Sequence, residues 1–388
     1  MKKFSRTDWK SFPAAASLRL RGFPFKGNAR SRAGPNISFT SLSPAVRQLK
    51  NVVFRGSFPI VFSFERLVFC NEALTHLGSN DLSHACDHYD YHSGEFVKGW
   101  LKINEDSTVS LIGDPCIEKI EGCSILLGGS ENFGHNLWEW FSRFVYLVPE
   151  LERRPEAKLL VFDKGGHYER LVRHIRLIPG FDARRIRLIS QSKLYECEEL
   201  ILAECPFRRG PQSELILDPE AFFLTRYLFG HYPSVPNPGI FIMRGRAKVR
   251  SCVNEEAVAA YLEDLGISTF VGHDLPFSEQ LNLVRGANFV ISSIGAGSAL
   301  AALAPTHSTI VELTPSNKVF GMYGGILSSA LLQQSFIRVE GRRVTGEGRE
   351  RPEPLFWDYE VSMEAIAQLG SAIIVAGGDR FRHGHPAV

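Results

Sequence analysis

The sequence predicts an α/β protein of two tandem Rossmann-like domains with an N-terminal β-rich extension. Two observations support this fold class. From about residue 112 onward, short apolar runs alternate with amphipathic segments. The Pro-rich stretch HYPSVPNPG (231–239) interrupts that alternation, which then restarts. We therefore predict a basic, poorly ordered arm over residues 1–50, a first domain with the extension over 51–235, a second domain over 236–375 and a tail over 376–388.

The predicted elements follow the order of a parallel, doubly wound sheet. Apolar runs such as FPIVFSF, between residues 52 and 112, indicate the strands of the extension. The first domain has predicted strands at 123–129, 157–163, RIRLIS and ELILAE, and predicted helices at 136–148 and 167–178. The second has predicted strands at 240–244, 268–272, 288–293 and 308–315, and predicted helices at 254–266, 276–287 and 295–304. Such sheets bind ligands beyond the carboxyl ends of their strands, so we expect a binding cleft where the two domains face each other.

Charge is unevenly distributed along a chain whose formal net charge is only +2. Residues 1–50 hold eleven Lys and Arg against Asp8 alone, a balance of +10, whereas the other residues hold 33 basic and 41 acidic side chains, a balance of −8. The arm is then either a solvated tail or a weak contact to anionic lipid or an acidic acceptor. The small total charge gives no argument for a nucleic-acid partner.

Targeting and cysteine signals are weak. The basic start at Lys2 and Lys3 is not followed by the apolar run of a signal peptide. No stretch approaches the ~18 apolar residues of a membrane span. The seven cysteines are odd in number and form no CxxC pair, which favours reduced thiols over a disulfide framework. We expect a cytoplasmic protein, with peripheral attachment at the inner face of the membrane through the basic arm as an alternative.

The stretch NFVISSIGAGSALAALAP predicts a phosphate-binding turn in the second domain. A strand runs into Gly295, Ala296, Gly297 and Ser298, where glycines allow close approach and a helix start offers N–H groups. A tight packing turn between strand and helix is the alternative. A dinucleotide fingerprint is not matched, because the third glycine position holds Leu300.

Charged residues follow the neighbouring predicted strands. Arg244 and Arg250 come just after the first strand of the second domain, where guanidinium groups suit a diphosphate. Glu312 comes at the end of a later strand, where a carboxylate can accept both hydroxyls of a ribose. The alternatives are a solvated basic loop and a carboxylate that caps a helix or turn.

The first domain has a cluster of its own in SENFGHNLWEWFSR (130–143). On a helix, His135, Glu139 and Arg143 recur at i, i+4 spacing opposite an apolar stripe, and Asn132 suits an N-cap. We therefore expect His135 to face the cleft, where an imidazole that titrates near neutrality can act as a general base. A solvated helix face with a Glu139–Arg143 pair is the alternative.

Three stretches match, in order and spacing, the motifs of one known family. NFGHNLWEWFSRF is similar to N-[YF]-x-H-W-L-x-E-x-[LF]-x-R-[LF], and RGRAKVRSCVNEE to Arg-x5-Arg followed by Asn-Glu. FSEQLNLVRGANFVISSIGAGSALAALAPTHSTIVELTP is similar to a run from Glu-Gln through Gly-Ala-Gly to Glu-Leu-x-Pro. The chain thereby resembles the family 61 glycosyltransferases, as a member of bacterial capsular or exopolysaccharide type. This resemblance implies a GT-B fold, a nucleotide-sugar donor held mainly by the C-terminal domain, and transfer with inversion at the anomeric carbon.

The resemblance also implies roles for individual residues. It implies that His135 is the catalytic base and that Glu139 orients or replaces it. The donor-binding positions are Arg244, Arg250, Asn254, Gln280, Gly295, Ala296, Gly297, Ser298 and Glu312. The acceptor-side positions are Asn132, Asn136 and Arg143. Two positions depart from the family pattern: Asn136 stands where an aromatic residue is usual, and Ile294 stands where a histidine commonly precedes the Gly-Ala-Gly turn.

One further cluster, HACDHYDYH (84–92), bears on cofactors. If extended, it would place five potential ligands on one face, namely His84, Cys86, His88, Asp90 and His92, and His and Cys are good zinc ligands. No established ligand spacing is matched, so a polar edge strand or loop is favoured and no metal ligand is predicted. No cofactor is firmly expected, and a divalent metal is compatible with the reaction without being required.

The predicted function is inverting transfer of a sugar from a nucleotide-sugar, preferentially a UDP-sugar, to a hydroxyl of a glycan or glycolipid in polysaccharide biosynthesis. An NAD-dependent oxidoreductase is one alternative, disfavoured by the missing third glycine and the late position of the turn. The other alternative is a catalytically inactive nucleotide- or sugar-binding protein, which the departures at Asn136 and Ile294 leave open.

Overall fold

A computed structural model describes the chain over residues 40–41, 46–55, 60–63, 66–69, 88–90, 95–97, 101–103, 109–111, 116–129, 133–162, 181–190, 193–203, 206–209, 215–230, 232–245, 250–315, 331–332, 334–344 and 357–377. These residues fall into two compact units, one within Phe39–Thr225 and the other within Arg226–Val388. Both units contain parallel strands and helices, which confirms the α/β class. The facing of two domains across a cleft stays a prediction. Across this described part of the chain, no helix combines the length and apolar character that crossing a membrane needs.

A seven-stranded sheet forms the centre of the first unit. The strands of this unit are β1 (Thr40–Ser41), β2 (Val46–Arg55), β3 (Ile60–Ser63), β4 (Arg66–Phe69), β5 (His88–Asp90), β6 (Glu95–Val97), β7 (Leu101–Ile103), β8 (Val109–Leu111), β9 (Ile117–Gly128), β10 (Lys158–Phe162), β11 (Ile186–Ile189), β12 (Leu194–Ala203), β13 (Phe207–Arg209) and β14 (Leu215–Leu217). The order across the large sheet is β11-β10-β9-β12-β2-β3-β4. Strands β9 to β12 run parallel, and β2, β3 and β4 add to them antiparallel.

Strand order reverses beside β9 in this sheet. The chain proceeds from β9 to β10 and β11 on one side, then returns to place β12 on the other side. A crevice forms at such a switch point, outside the carboxyl ends of the strands. The residues that follow β9 are therefore the best-placed candidates for ligand contact in this unit.

Strand β2 corrects the predicted boundary of the basic arm. It begins at Val46, inside the segment predicted as poorly ordered, and pairs with β12 along its whole length. Leu49, Val52 and Phe54 are buried against the core of the sheet, and each such side chain contributes roughly 1.5–3 kcal/mol of apolar burial. The remainder of the predicted arm lies outside the described residues. Strands β3 to β8 fall in the segment predicted as β-rich.

The helices of the first unit are mostly short. A helical segment, residues 133–153, follows β9 and consists of an α-helical turn (Phe133–His135), a π-helix (Asn136–Trp140), a 3-10 helix (Phe141–Arg143) and α1 (Phe144–Arg153). A 3-10 turn (Ala183–Arg185) precedes β11, and α2 (Pro219–Leu228) leads from the first unit into the second. The helix predicted at 167–178 lies outside the described residues.

The second unit contains an all-parallel sheet of five strands. Its strands are β15 (Asn237–Met243), β16 (Ser268–Val271), β17 (Ala287–Ser293), β18 (Thr309–Thr314) and β19 (Ser335–Glu340), and a small ribbon pairs β20 (Arg342–Arg343) with β21 (Tyr359–Glu360). Its helices are α3 (Glu255–Glu263), α4 (Phe277–Gly286), a 3-10 helix (Ala296–Leu303) and α5 (Met363–Gly377). All the strands and helices predicted between residues 240 and 315 are present, although the helix after β17 is 3-10 rather than α.

Strand order in the second unit is β16-β15-β17-β18-β19. The first strand of the unit, β15, thus has the second strand, β16, on one side and the third strand, β17, on the other. The switch point of this doubly wound sheet lies between the carboxyl ends of β15 and β17. Helices α3 and α5 cover one face through Val258, Leu262, Ile366 and Leu369, which share a buried core with Ile291 and Val311 of the strands.

Candidate active site

Two segments meet at the switch point of the second unit. Arg244 and Gly245 follow directly on β15, and Ile294 and Gly295 follow directly on β17, with β15 and β17 hydrogen-bonded as neighbours. Glycine at 245 suits its backbone, since its φ is +64°. The predicted arginine loop and the predicted phosphate-binding turn are therefore brought to one place by the topology.

Arg244 is fixed by the main chain around it. Its Nη1 donates to the carbonyl oxygen of Ile294 over 2.7 Å. Its Nε is buried with no hydrogen-bond partner among the described residues. Burial lowers the pKa of Arg244, and the carboxylates of Glu255 and Asp358 oppose that shift. The guanidinium remains a cation at neutral pH with unused hydrogen-bonding capacity.

Arg250 places a second cation beside the first. Its φ of +58° lies in the left-handed region, which costs a non-glycine residue roughly 1–2 kcal/mol. Its Nε is also buried without a hydrogen-bond partner in the described part of the chain. Burial, together with the smaller effect of the charge of Arg244, lowers the pKa of Arg250 to about 10. Two desolvated like charges with unsatisfied donors are stabilised when an anion with several oxygens binds between them.

Glu255 organises this corner, and sequence reasoning gave it no role in the site. The carboxylate accepts from the backbone N–H groups of Arg244 and Gly245, each over 2.9 Å, and from the hydroxyl of Ser293. It therefore joins the loop after β15 to the end of β17. The available signal was the Asn-Glu pair of the second motif, but only the strand order shows that a carboxylate opening α3 can reach both strand ends.

The Gly-Ala-Gly turn lies at the same edge of the sheet. Gly295, Ala296 and Gly297 are half-buried, and Ser298 closes the turn by donating its hydroxyl to the carbonyl of Gly295 over 2.7 Å. Gly295 opens the 3-10 helix without a capping side chain, and the first N–H groups of a helix have no partner within it. The N–H of Ser298 donates to the carbonyl of Gly295 over 3.2 Å, and anion binding by the N–H groups before it stays a prediction.

Close packing at Gly295 yields a testable prediction. A Cβ there would lie 2.1 Å from Nη1 of Arg244, so the guanidinium would have to leave its position. The backbone itself tolerates the change, since φ is 162°. We expect Gly295→Ala to weaken pyrophosphate binding about tenfold or more, measured by isothermal titration calorimetry, with a small change in Tm.

Gly272→Ala is the matched control for that substitution. Gly272 follows β16 at the same edge of the sheet, and the atom nearest to a new Cβ is Oε1 of Gln280 at 3.9 Å. Pyrophosphate affinity should stay at the wild-type value in this variant. Equal affinity in both variants and the wild type would show that Arg244 does not contact the anion.

Two predicted donor-binding side chains, the amides of Asn254 and Gln280, are engaged with the main chain. The amide of Asn254 is engaged with the backbone of Val361, to which it donates over 2.8 Å and from which it accepts over 3.1 Å. Gln280 is buried and donates to the carbonyls of Gly272 and Leu275. Both amides therefore hold loops in place rather than offering donors to a ligand.

Glu312 lies deeper than the sequence predicted. It is fully buried within β18, two residues before the strand ends, in register between Ser292 of β17 and Arg338 of β19. A ribose hydroxyl cannot reach a carboxylate that has no exposed surface. The predicted ribose contact therefore does not fit this placement, because Leu313 and Thr314 carry the strand beyond Glu312.

In the first unit, the helical segment 133–153 starts where the strand order reverses. His135 ends its first α-helical turn, seven residues after the last residue of β9, so the backbone places it near the carboxyl end of that strand. Asn132 and the side chain of His135 lie outside what the structure describes. Asn136 is buried beside Gly129. A Cβ placed on Gly129 would lie 3.4 Å from Oδ1 of Asn136.

Glu139 and Arg143 were predicted to lie on the face opposite the apolar stripe, with a solvent-exposed face as the alternative, and neither side chain is exposed. Glu139 is 6% exposed and Arg143 is fully buried. Nε of Arg143 donates to the carbonyl of Glu139 over 2.9 Å, and its guanidinium lies 4.0 Å from the ring centroid of Trp140. Arg143 therefore packs within the unit, and its predicted acceptor-side role stays a prediction.

Two features explain this difference. The π-helix at Asn136–Trp140 breaks the regular 3.6-residue spacing on which the predicted faces depend. Trp138 and Trp140 also lie outside the predicted apolar stripe but need burial: Trp138 stacks on Phe222 at 5.0 Å, and Trp140 packs against Gly128. The segment is consequently buried all round from Asn136 to Arg143.

Metal ligands were not predicted, and the described side chains contain no group of three or more His, Cys, Asp or Glu placed to hold a metal ion. In the HACDHYDYH cluster, His88 to Asp90 form β5, which pairs with β6. The side chains of that cluster lie outside the described residues.

Comparison with protein families places part of the chain in a known family model. Residues 133–311 match the family model described as Glycosyltransferase 61. This range begins at the helical segment of the first unit and includes Arg244, Arg250 and the Gly-Ala-Gly turn. No curated protein sequence matches the chain at a significant level. The family match supports the resemblance seen in the sequence and indicates a glycosyltransferase.

Proposed function

We propose that this chain, whose family match indicates a glycosyltransferase, transfers a sugar with inversion from a nucleotide-sugar donor to a hydroxyl of a glycan or glycolipid. The observation that carries the proposal is the pair of half-buried arginines, each with a buried Nε, at the switch point of the second unit. The Nε donors of Arg244 and Arg250 are unsatisfied, and the two positive charges repel each other. A diphosphate supplies the negative charge and the oxygen acceptors that this pair lacks.

The same groups would stabilise the leaving group of the reaction. When the bond from the sugar to the diphosphate breaks, negative charge develops on the phosphate oxygens. Fixed cations and oriented N–H groups lower the energy of that charge without reorganising. We assign this role to Arg244, Arg250 and the backbone at Gly295 to Ser298, with Glu255 holding the two segments together.

We assign the acceptor side to the first unit, with His135 as the general base. The support is its backbone position, near the carboxyl end of β9 at a switch point. Inversion needs a base that removes the acceptor proton while the diphosphate leaves from the opposite face of the sugar. Glu139 lies one turn further on and is buried, which suits an orienting role better than direct contact with an acceptor.

The donor class is tested by thermal unfolding with UDP, GDP, CMP and NAD, each added separately. A ligand at 100 times its Kd stabilises the native state by about 2.7 kcal/mol, which raises Tm measurably. We expect UDP to raise Tm, since a UDP-sugar is the preferred donor in this proposal. A shift with GDP alone would change the donor class, and a shift with NAD alone would overturn the transferase in favour of an oxidoreductase.

Polysaccharide biosynthesis, a cytoplasmic site and a weak membrane contact of the basic arm complete the proposal. The resemblance in the motifs supports the first, and the cysteine content supports the second. The third rests on the eleven basic residues within 1–50. No metal or cofactor is needed for the steps assigned above.

A further inference from the structure

A short C-terminal segment, residues 357–361, packs against the loop that carries Arg250. It lies beyond the residues that match the family model, and the sequence motifs assign it no role. Two backbone hydrogen bonds join it to the loop: Tyr359 N–H donates to the carbonyl of Ser251 over 2.9 Å, and Val253 N–H donates to the carbonyl of Tyr359 over 2.8 Å. Together they form a parallel bridge between Cys252 and Tyr359. The segment thus adds one short strand beside residues 251–253.

Tyr359 anchors this segment in the interior. Its ring is fully buried, and its hydroxyl donates to the carbonyl of Leu313, at the carboxyl end of β18, over 2.9 Å. Gly341 leaves room for the ring, since a Cβ there would lie 2.6 Å from it. Burial raises the pKa of the Tyr359 hydroxyl, which therefore stays neutral and a donor. The neighbouring residue, Asp358, is consequently held at a fixed position.

Within this segment, Asp358 contacts the residue next to Arg250. Its Oδ1 accepts from the backbone N–H of Ser251, the residue after Arg250, over 2.7 Å. A carboxylate that accepts a backbone N–H stabilises a tight turn in the same way as a cap. Here the turn holds Arg250 in a left-handed conformation that a non-glycine residue disfavours. Without this acceptor, the intrinsic preference of the backbone would draw Arg250 toward negative φ.

We propose that Asp358 is a positioning residue for the donor diphosphate, which acts by accepting the Ser251 N–H and so fixing Arg250 toward the anion. This inference rests on the proposed function and deepens it. It also extends the donor site to a segment 107 residues further along the chain. The hydrogen bond is the essential part, because an acceptor at this position fixes the turn whether or not it carries a charge.

The test measures UDP and pyrophosphate affinities, by calorimetry, for Asp358→Ala and Asp358→Asn. Alanine removes the acceptor, and we expect Kd to rise about tenfold. Asparagine keeps an oxygen at the same position, and we expect Kd within about threefold of the wild type. Should Asp358→Ala fail to fold, Asp358→Leu takes its place, since leucine keeps similar volume without an acceptor.

Asn237→Ala is the control for a general loss of stability. Its side chain donates to the carbonyls of Val235 and Leu283, each over 2.9 Å, at the amino end of β15. The substitution Asn237→Ala therefore removes comparable hydrogen bonds at the opposite edge of the same sheet. We expect this variant to bind UDP and pyrophosphate with the wild-type Kd. If Asp358 only stabilised the fold, we would not expect Asp358→Asn to keep the affinity that Asp358→Ala loses.

The outcomes separate this inference from the proposed function. If the wild type binds UDP and Asp358→Ala binds it equally well, the positioning role is overturned and the transferase stands. Asp358→Asn binding as weakly as Asp358→Ala, or Asn237→Ala losing as much affinity, also overturns the positioning role. A wild type that binds neither UDP nor pyrophosphate overturns both.

Discussion

Replacing His135 with alanine is expected to lower kcat for sugar transfer by about 10²–10⁴, the usual contribution of general base catalysis. Affinity for UDP should stay unchanged, because the donor contacts are assigned to the second unit. Alanine favours helix, so the α-helical turn Phe133–His135 should persist and Tm should change little. The measurement is a steady-state transfer assay combined with UDP titration of the same preparation.

The pH profile adds a second readout for His135. A base must be neutral to accept a proton, and an imidazole loses that capacity as pH falls through the range near neutrality. The wild-type rate should therefore decline on the acid side, and the decline should vanish in the variant. Transfer at the wild-type rate by His135→Ala would remove the assignment, and Glu139 would become the candidate base.

Replacing Arg250 with alanine should weaken UDP binding by about 10- to 150-fold. A hydrogen bond to a charged group is worth about 1.5–3 kcal/mol, and 1.4 kcal/mol corresponds to tenfold in Kd. Alanine retains the Cβ, so the cost of the left-handed backbone stays the same. Tm should stay level or rise, because a half-buried cation with a buried, unsatisfied Nε is removed.

Arg250→Lys and Arg184→Ala complete that experiment. Lysine keeps the charge but lacks the fork that pairs with two phosphate oxygens, so we expect an intermediate loss. Arg184 lies in the first unit with a side chain 92% exposed, and its removal should leave the UDP Kd unchanged. An Arg250→Ala protein with wild-type affinity would contradict the placement of the diphosphate at the switch point.

Local periodicity predicted the second unit well. Strands and helices between residues 240 and 315 depend on patterns of a few residues, and their ends agree with the structure within about three residues. Rules on parallel crossovers limit the possible strand orders, and the order found, β16-β15-β17-β18-β19, brings the arginine loop and the glycine turn together. That part of the candidate site was accessible from the sequence.

Side-chain orientation was less accessible. Glu139 and Arg143 were assigned to the face opposite the apolar stripe on the assumption of 3.6 residues per turn, and the π-helix does not follow that spacing. Glu312 was predicted near the end of its strand with an accessible carboxylate, but its side chain is fully buried. Glu255 and Asp358 act through backbone groups of other segments, and no local pattern reveals such pairing.

Strand β2 has a practical consequence for work with shortened forms of this protein. Trimming the chain at residue 51, where the basic composition ends, would delete Val46 to Lys50, the partners of Glu199 to Ala203 in β12. Leu200, Ile201 and Leu202 would then form an open sheet edge with apolar side chains, a common template for aggregation. Expression vectors that remove the arm should therefore retain residue 46 and those that follow it.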